Sequence, residues 1–156
     1  MSSARRQIAT GLVAAGACAW ALGAAAQDGE LQQHWARWRT EGPASYVYGY
    51  NKYCDCHPTD PPETVVTVAN GAVTRVYHLH ADSAREVPAR EGSLDLYWTI
   101  EDLFELLESA FQRGAVVRAR YDDALGYPLS LFIDYDSDLV GDEVDLRITR
   151  FEPLER

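Results

Sequence analysis

Cys54, Cys56 and His57 stand together in Tyr-Cys-Asp-Cys-His, and His78 and His80 follow in Tyr-His-Leu-His. Thiolate and imidazole suit zinc or copper, so these side chains form the candidate metal set. Two residues apart in a strand, His78 and His80 project from one face. Asn70-Gly71, between two β-rich runs, is a strong hairpin signal. With Ala69 opposite Ala72, Glu63 falls opposite His78, and that register brings both histidines near the segment joining Cys56 to the hairpin. The same residues have plainer uses. In an oxidising compartment Cys54 and Cys56 would form a disulfide, and a bridge across one residue closes a tight, strained and easily reduced ring. The histidines would then be surface residues. The expectation is no cofactor, with zinc or copper as the alternative.

Carboxylates are the second chemical resource. Asp122, Asp123, Asp134 and Asp136 would supply paired acids and bases for hydrolysis if a cleft brought them together. Asp134, Asp136 and Asp138 alternate ahead of Gly141, Asp142 and Glu143, a spacing that invites comparison with calcium loops. Counted from Asp134, however, the sixth position is Leu139 and the twelfth Asp145, where an EF-hand needs Gly and a bidentate Glu. A solvated acidic turn that discourages edge pairing is the simpler role. No Gly-x-Ser-x-Gly elbow surrounds a serine, and Cys-x-Cys lacks the Cys-x-x-Cys spacing at a helix start that activates a thiol. Aromatic side chains are the third resource. Tyr46, Tyr48, Tyr50, Tyr77, Tyr97, Trp98 and Tyr135 have apolar bodies with polar tips, which suit interfaces. Tyr46, Tyr48 and Tyr50 share one face of a strand, either as the core face or as a platform for a protein or glycan partner.

These residues sit in a chain that reads as exported. Arg5 and Arg6 precede an apolar tract from Ile8 to Ala25, and Ala24-Ala25-Ala26 offers a small-residue cleavage site, so residues 1–26 read as a signal peptide. Cys18 after Ala15-Gly16-Ala17 loosely resembles a lipoprotein box, but the first position is Ala and the apolar tract runs on past Cys18. Lipidation is the lesser expectation. Residues 27–156 suffice for a single domain and contain no integral membrane span. The net charge is −10, and loss of the leader arginines makes the remainder more acidic. Nucleic acid and anionic lipid are therefore disfavoured as partners, since no basic cluster remains in the sequence.

Periodicity gives the elements that carry the candidates. Leu31, Trp35 and Trp38, with His34 beside them, mark a helix over Asp28–Thr40, ended by Gly42-Pro43. A strand over Ser45–Tyr53, a turn-rich Cys54–Pro62 and a hairpin of Thr64–Ala69 with Ala72–His80 follow. Ala81–Ser93 reads as an exposed loop. Thr99 with Asp102 opens a second helix through a capping box; Leu103, Phe104, Leu107, Ala110 and Phe111 form its buried stripe, Glu101, Glu105 and Glu108 face water, and Gly114 ends it. Val116–Tyr121 and Leu129–Tyr135 flank the turn Asp122–Pro128, with Leu129, Leu131, Ile133 and Tyr135 on one face. Val144–Phe151 is the last strand. The order helix-β-β-β-helix-β-β-β predicts a two-layer α+β domain, with two helices on one face of a mostly antiparallel sheet of about six strands. Overlaying Ala44–Asn51 on Ala115–Asp122 matches two residues in eight, a weak hint of internal duplication.

Tyr121-Asp122, Gly126-Tyr127-Pro128, Ile133-Asp134 and Asp142-Glu143 form a set with Cys54-x-Cys56, the Val-rich strand before Asn70-Gly71 and the TIEDLF run from Thr99. Together they resemble the signature of a bacterial exported domain-of-unknown-function family, family 6174, over Trp35 to Phe151. The His-x-His lies outside that pattern. The resemblance implies a secreted or lipid-anchored α+β domain and brings no activity, ligand or catalytic residue. The chain therefore reads as a small exported module acting through binding or structure. Metal binding through Cys54, Cys56, His57, His78 and His80, or a hydrolase using acidic residues, are the alternatives.

Overall fold

Tyr46, Tyr48 and Tyr50 alternate with Val47 and Gly49, and the alternation decides the layers. In the computed structural model, which describes residues 16–53, 62–80 and 85–154, all three tyrosines turn into the core. Strand β1 (Tyr46–Tyr53) is followed by β2 (Glu63–Ala69), β3 (Ala72–His80) and β4 (Arg85–Pro88). Helix α1 (Gly16–Glu41) precedes them. After a 3-10 turn at Leu94–Leu96 come helix α2 (Ile100–Gln112) and strands β5 (Val116–Tyr121), β6 (Pro128–Asp134) and β7 (Val144–Pro153). Helix α1 begins earlier than the apolar stripe implied, because the Ala-rich tract before Gln27 is itself a strong helix former. No described helix is long and apolar enough to cross a membrane.

The strands form one antiparallel sheet in the order β4-β3-β2-β1-β7-β6-β5. It has seven strands rather than the six expected. The addition is β4, which pairs with Tyr77–His80; a short, polar segment ending in proline is tolerated at a sheet edge. A duplicated unit related by a two-fold axis through the sheet would set β1 beside β5 or β3 beside β7. Instead β1 lies beside β7, so the sheet carries no such symmetry.

Both helices pack on one face. Leu31 and Trp38 of α1 and Ile100, Leu103, Phe104, Leu107 and Ala110 of α2 meet Tyr46, Tyr48, Val66, Val76, Val117, Leu131, Ile133 and Leu146 of the sheet. Each large apolar side chain so buried contributes about 1.5–3 kcal/mol relative to exposure, which makes this layer the main source of stability.

Bulges alter the expected registers. One at Thr67/Val68 sets Thr64, not Glu63, opposite His78, although Ala69 does pair with Ala72. A single inserted residue reverses which face its neighbours occupy. Another at Arg120/Tyr121 pairs Tyr121 with Pro128 and Arg120 with Ser130, which leaves Leu129 inside the bulge and outside the core stripe.

Candidate functional site

The helices leave one face of the sheet open. On β5, Val117, Ala119 and Tyr121 turn towards the helices, so the two-residue period carries Arg118 and Arg120 to the open face. The ladder sets Phe132 beside Arg118 and Ser130 beside Arg120, and β7 extends the rows with Asp145 and Arg147. These six residues line a shallow groove of about 550 Å3. The Arg118 guanidinium carbon lies 4.1 Å from the Phe132 ring centroid. The cation stands over the face of the ring, where the ring's charge distribution attracts it. Arg147 lies 3.6 Å from Asp145 and 4.7 Å from the Tyr53 ring. Among the described residues no carboxylate pairs with Arg118 or Arg120. The linear sequence shows no basic cluster, but the sheet assembles one.

A second polar group crosses the same face. Glu63 of β2 reaches over β1 to Arg150 and Thr149 of β7. Arg150 Nε donates to Glu63 Oε1 at 2.8 Å, and Arg150 and Thr149 make further hydrogen bonds to the same carboxylate. Gly49 makes the crossing feasible, because a Cβ there would collide with the Glu63 carboxylate and lie 2.9 Å from Thr149 Oγ1. Burial raises the pKa of Glu63, but hydrogen bonds from Arg150 and Thr149 and the Arg150 charge outweigh it and hold the group below its ordinary value.

On the helix-covered face, the bulge in β2 and β3 creates a polar chain. Thr64 Oγ1 lies 3.1 Å from His78 Nδ1, and His78 Nε2 lies 3.2 Å from the Tyr97 hydroxyl. Tyr50 also hydrogen-bonds Thr64, although burial dominates and pushes its hydroxyl up to about 12. Burial first, and the neighbouring charge of His80 second, lower the pKa of His78. His78 therefore has both ring nitrogens engaged, while His80 is exposed. Cys54, Cys56 and His57 lie outside the described residues, and so does the disulfide expected between the two cysteines. Among the described residues no group of three or more His, Cys, Asp or Glu side chains is placed to hold a metal ion.

The TIEDLF run anchors α2. Thr99 Oγ1 accepts from Asp102 N at 3.1 Å and Asp102 Oδ2 accepts from Thr99 N at 2.7 Å, the expected capping box. Ile100 N donates to the Tyr46 hydroxyl at 2.8 Å. Glu101 does not simply face water. Its carboxylate accepts from Trp38 Nε1 and from the Tyr46 hydroxyl, each at 2.8 Å, and so links α1, β1 and α2.

The turn between β5 and β6 serves α1. Asp122 Oδ1 accepts from Ala124 N at 3.0 Å and Leu125 N at 2.7 Å, an Asx-type turn. Gly126 adopts φ +87°. Above the turn, His34 stacks on Tyr121 with ring centroids 4.5 Å apart, Trp38 meets Tyr127 edge-on at 6.2 Å, and Arg37 donates to the Asp123 carbonyl.

A family model described as a family of unknown function (DUF6174) matches residues 30–153. The chain belongs to this family. Neither the curated proteins nor the solved structures gave a match. In this DUF6174 member the motif residues Thr99 to Phe104 and Tyr121 to Pro128 hold helices to the sheet. Of the other motif residues, Asp134 ends β6, and Asp142-Glu143 lies in the loop between β6 and β7. There Glu143 Oε2 accepts from Gly141 N at 2.8 Å and Asp136 Oδ1 from Asp138 N at 3.0 Å. Oδ1 of Asp134 and Oδ1 of Asp142 are buried without a partner among the described residues, but no cation-holding group is assembled around them. The tyrosine platform is overturned, since Tyr46, Tyr48 and Tyr50 are at most 5% exposed. Arg118, Arg120 and Arg147 are the residues that the sequence reading missed. Two signals could have found them: Arg-x-Arg on a strand whose other face is apolar, and a basic complement of thirteen arginines to one lysine.

Proposed function

We propose that this DUF6174 protein is an exported, non-enzymatic binding module that uses the open face of its sheet to hold an anionic ligand. The arginine groove carries this reading. In a chain with net charge −10, three arginines converge on one surface, and two of them have no carboxylate partner among the described residues. Arginine presents a planar fork that pairs with carboxylate in a bidentate manner. Such a surface in an otherwise acidic molecule attracts an anion locally while the remainder repels non-specific association. The leader-like segment over residues 1–26 supports an exported, periplasmic or secreted setting for that role.

The test is calorimetric titration with polyglutamate and with polygalacturonate at low and at physiological ionic strength. At least one polymer is expected to bind, weakening as salt shortens the screening length and weakening strongly in Arg118→Ala/Arg120→Ala. Exposed Arg90, beyond β4 at the opposite edge of the sheet, is the control. If neither polymer binds, or if Arg90→Ala weakens binding as much as the groove pair, the reading is wrong.

A further inference from the structure

The groove does not end in a wall. It runs out at β5, which is the last strand of the sheet on that side. In an antiparallel edge strand every second residue turns its N–H and C=O away from its neighbour, leaving a row of unpaired donors and acceptors. The two edges of this sheet differ. Strand β4 has four residues and closes with Pro88, a blunted edge. Strand β5 has six residues, contains no proline and begins with Val116, which is 49% exposed. Arg118 and Arg120 stand on the open face of that edge, about 7 Å apart at a rise of about 3.4 Å per residue.

We infer that the anionic ligand is an acidic, extended protein segment that adds to β5 as a further strand. Its main chain pairs with the free groups of β5, and acidic side chains at every second position meet Arg118 and Arg120. This rests on the reading of the groove as an anion site and assigns the chemistry of its partner. An incoming strand has the same two-residue period as β5, so an acidic-x-acidic segment places both carboxylates on the arginine side without distortion. Recognition by strand addition draws affinity from main-chain hydrogen bonds and specificity from alternate side chains. A second copy of this chain fits poorly, because two β5 edges paired antiparallel would set arginines against arginines, and like charges placed opposite one another destabilise a pair.

The test titrates the protein with four probes: a peptide alternating glutamate and valine, the same peptide N-methylated at every second amide in each of the two phases, and an oligogalacturonate of equal carboxylate number. The parent peptide is expected to bind, to shift the β5 amide resonances and to slow their hydrogen exchange. One of the two N-methylated phases should bind about tenfold or more weakly, the equivalent of about 1.4 kcal/mol. Arg118→Glu/Arg120→Glu, with its melting temperature unchanged, should lose the peptide. If both N-methylated phases or the oligogalacturonate bind as well as the parent peptide, the groove reads charge alone; strand addition is refuted and anion binding survives. If no probe binds, both readings fail. Protection of the β5 amides that grows with protein concentration alone would make a second copy the occupant and overturn the inference.

Discussion

Substituting alanine for Gly126 separates two penalties that usually come together. At φ +87° an L-residue pays about 1–2 kcal/mol for left-handed backbone. The new Cβ would also stand 2.6 Å from the His34 carbonyl oxygen, which belongs to the helical backbone of α1 and cannot swing aside. Forcing α1 or the turn to shift adds about 1–3 kcal/mol, as overpacking does elsewhere. Alanine restricts the unfolded chain and returns about 0.4–1 kcal/mol. The net loss is about 3 kcal/mol, which at about 4 °C per kcal/mol for a domain of this size lowers the melting temperature by about 12 °C. Gly114 provides the comparison. Its φ is +74°, yet a Cβ there meets nothing within 4 Å, so Gly114→Ala should cost only the backbone term, about 1 kcal/mol or about 4 °C. Circular dichroism melts of both variants decide the matter. Equal shifts would show that α1 does not rest on the turn as described.

Three further outcomes follow from the polar contacts. Tyr46→Phe removes the hydroxyl shared by Glu101 and Ile100 N and leaves a buried N–H unpaired, so chemical denaturation should report a loss of about 1–3 kcal/mol. Glu63 is held below its ordinary value in the fold, so its pairing with Arg150 stabilises above the unfolded carboxylate value and fades as the pH falls towards the folded one. Glu63→Gln should therefore lower the unfolding free energy at neutral pH by under about 1 kcal/mol, because Arg150 is half exposed, and the difference from wild type should vanish in acid. His78 is likewise lowered; the unfolded chain takes up the proton first, so stability should decline as the pH drops below the ordinary histidine range. An NMR titration midpoint at or above that range would contradict its burial against Thr64 and Tyr97.

The parts of the fold that could be read from sequence were those encoded by neighbouring residues. Thr99 with Asp102 marks the start of α2, Asn70-Gly71 marks a hairpin, and Asp122 with Gly126 marks a chain reversal; each is a local device. What escaped depends on partners distant in sequence. Glu101 reads as one more solvated acid on a helix face until Trp38 and Tyr46 are packed against it. The bulges at Thr67/Val68 and Arg120/Tyr121 leave no mark in the hydrophobic pattern, yet they choose the residue facing His78 and displace Leu129 from the core. The groove was hidden for the same reason, since Arg120 and Arg147 fall into one row only when Ser130 of β6 lies between them.

The join between β1 and β7 has a kinetic consequence. Each half of the sheet can zip locally, but the halves meet only where one of the earliest strands finds the last. A ribosome delivers Val144–Pro153 after the other six strands, so until then the ring of Tyr46 lacks Phe151, which stacks on it. Closing so long a loop is slow. A nascent chain of this kind stays unfinished, and open to capture by whatever escorts it, until β7 arrives.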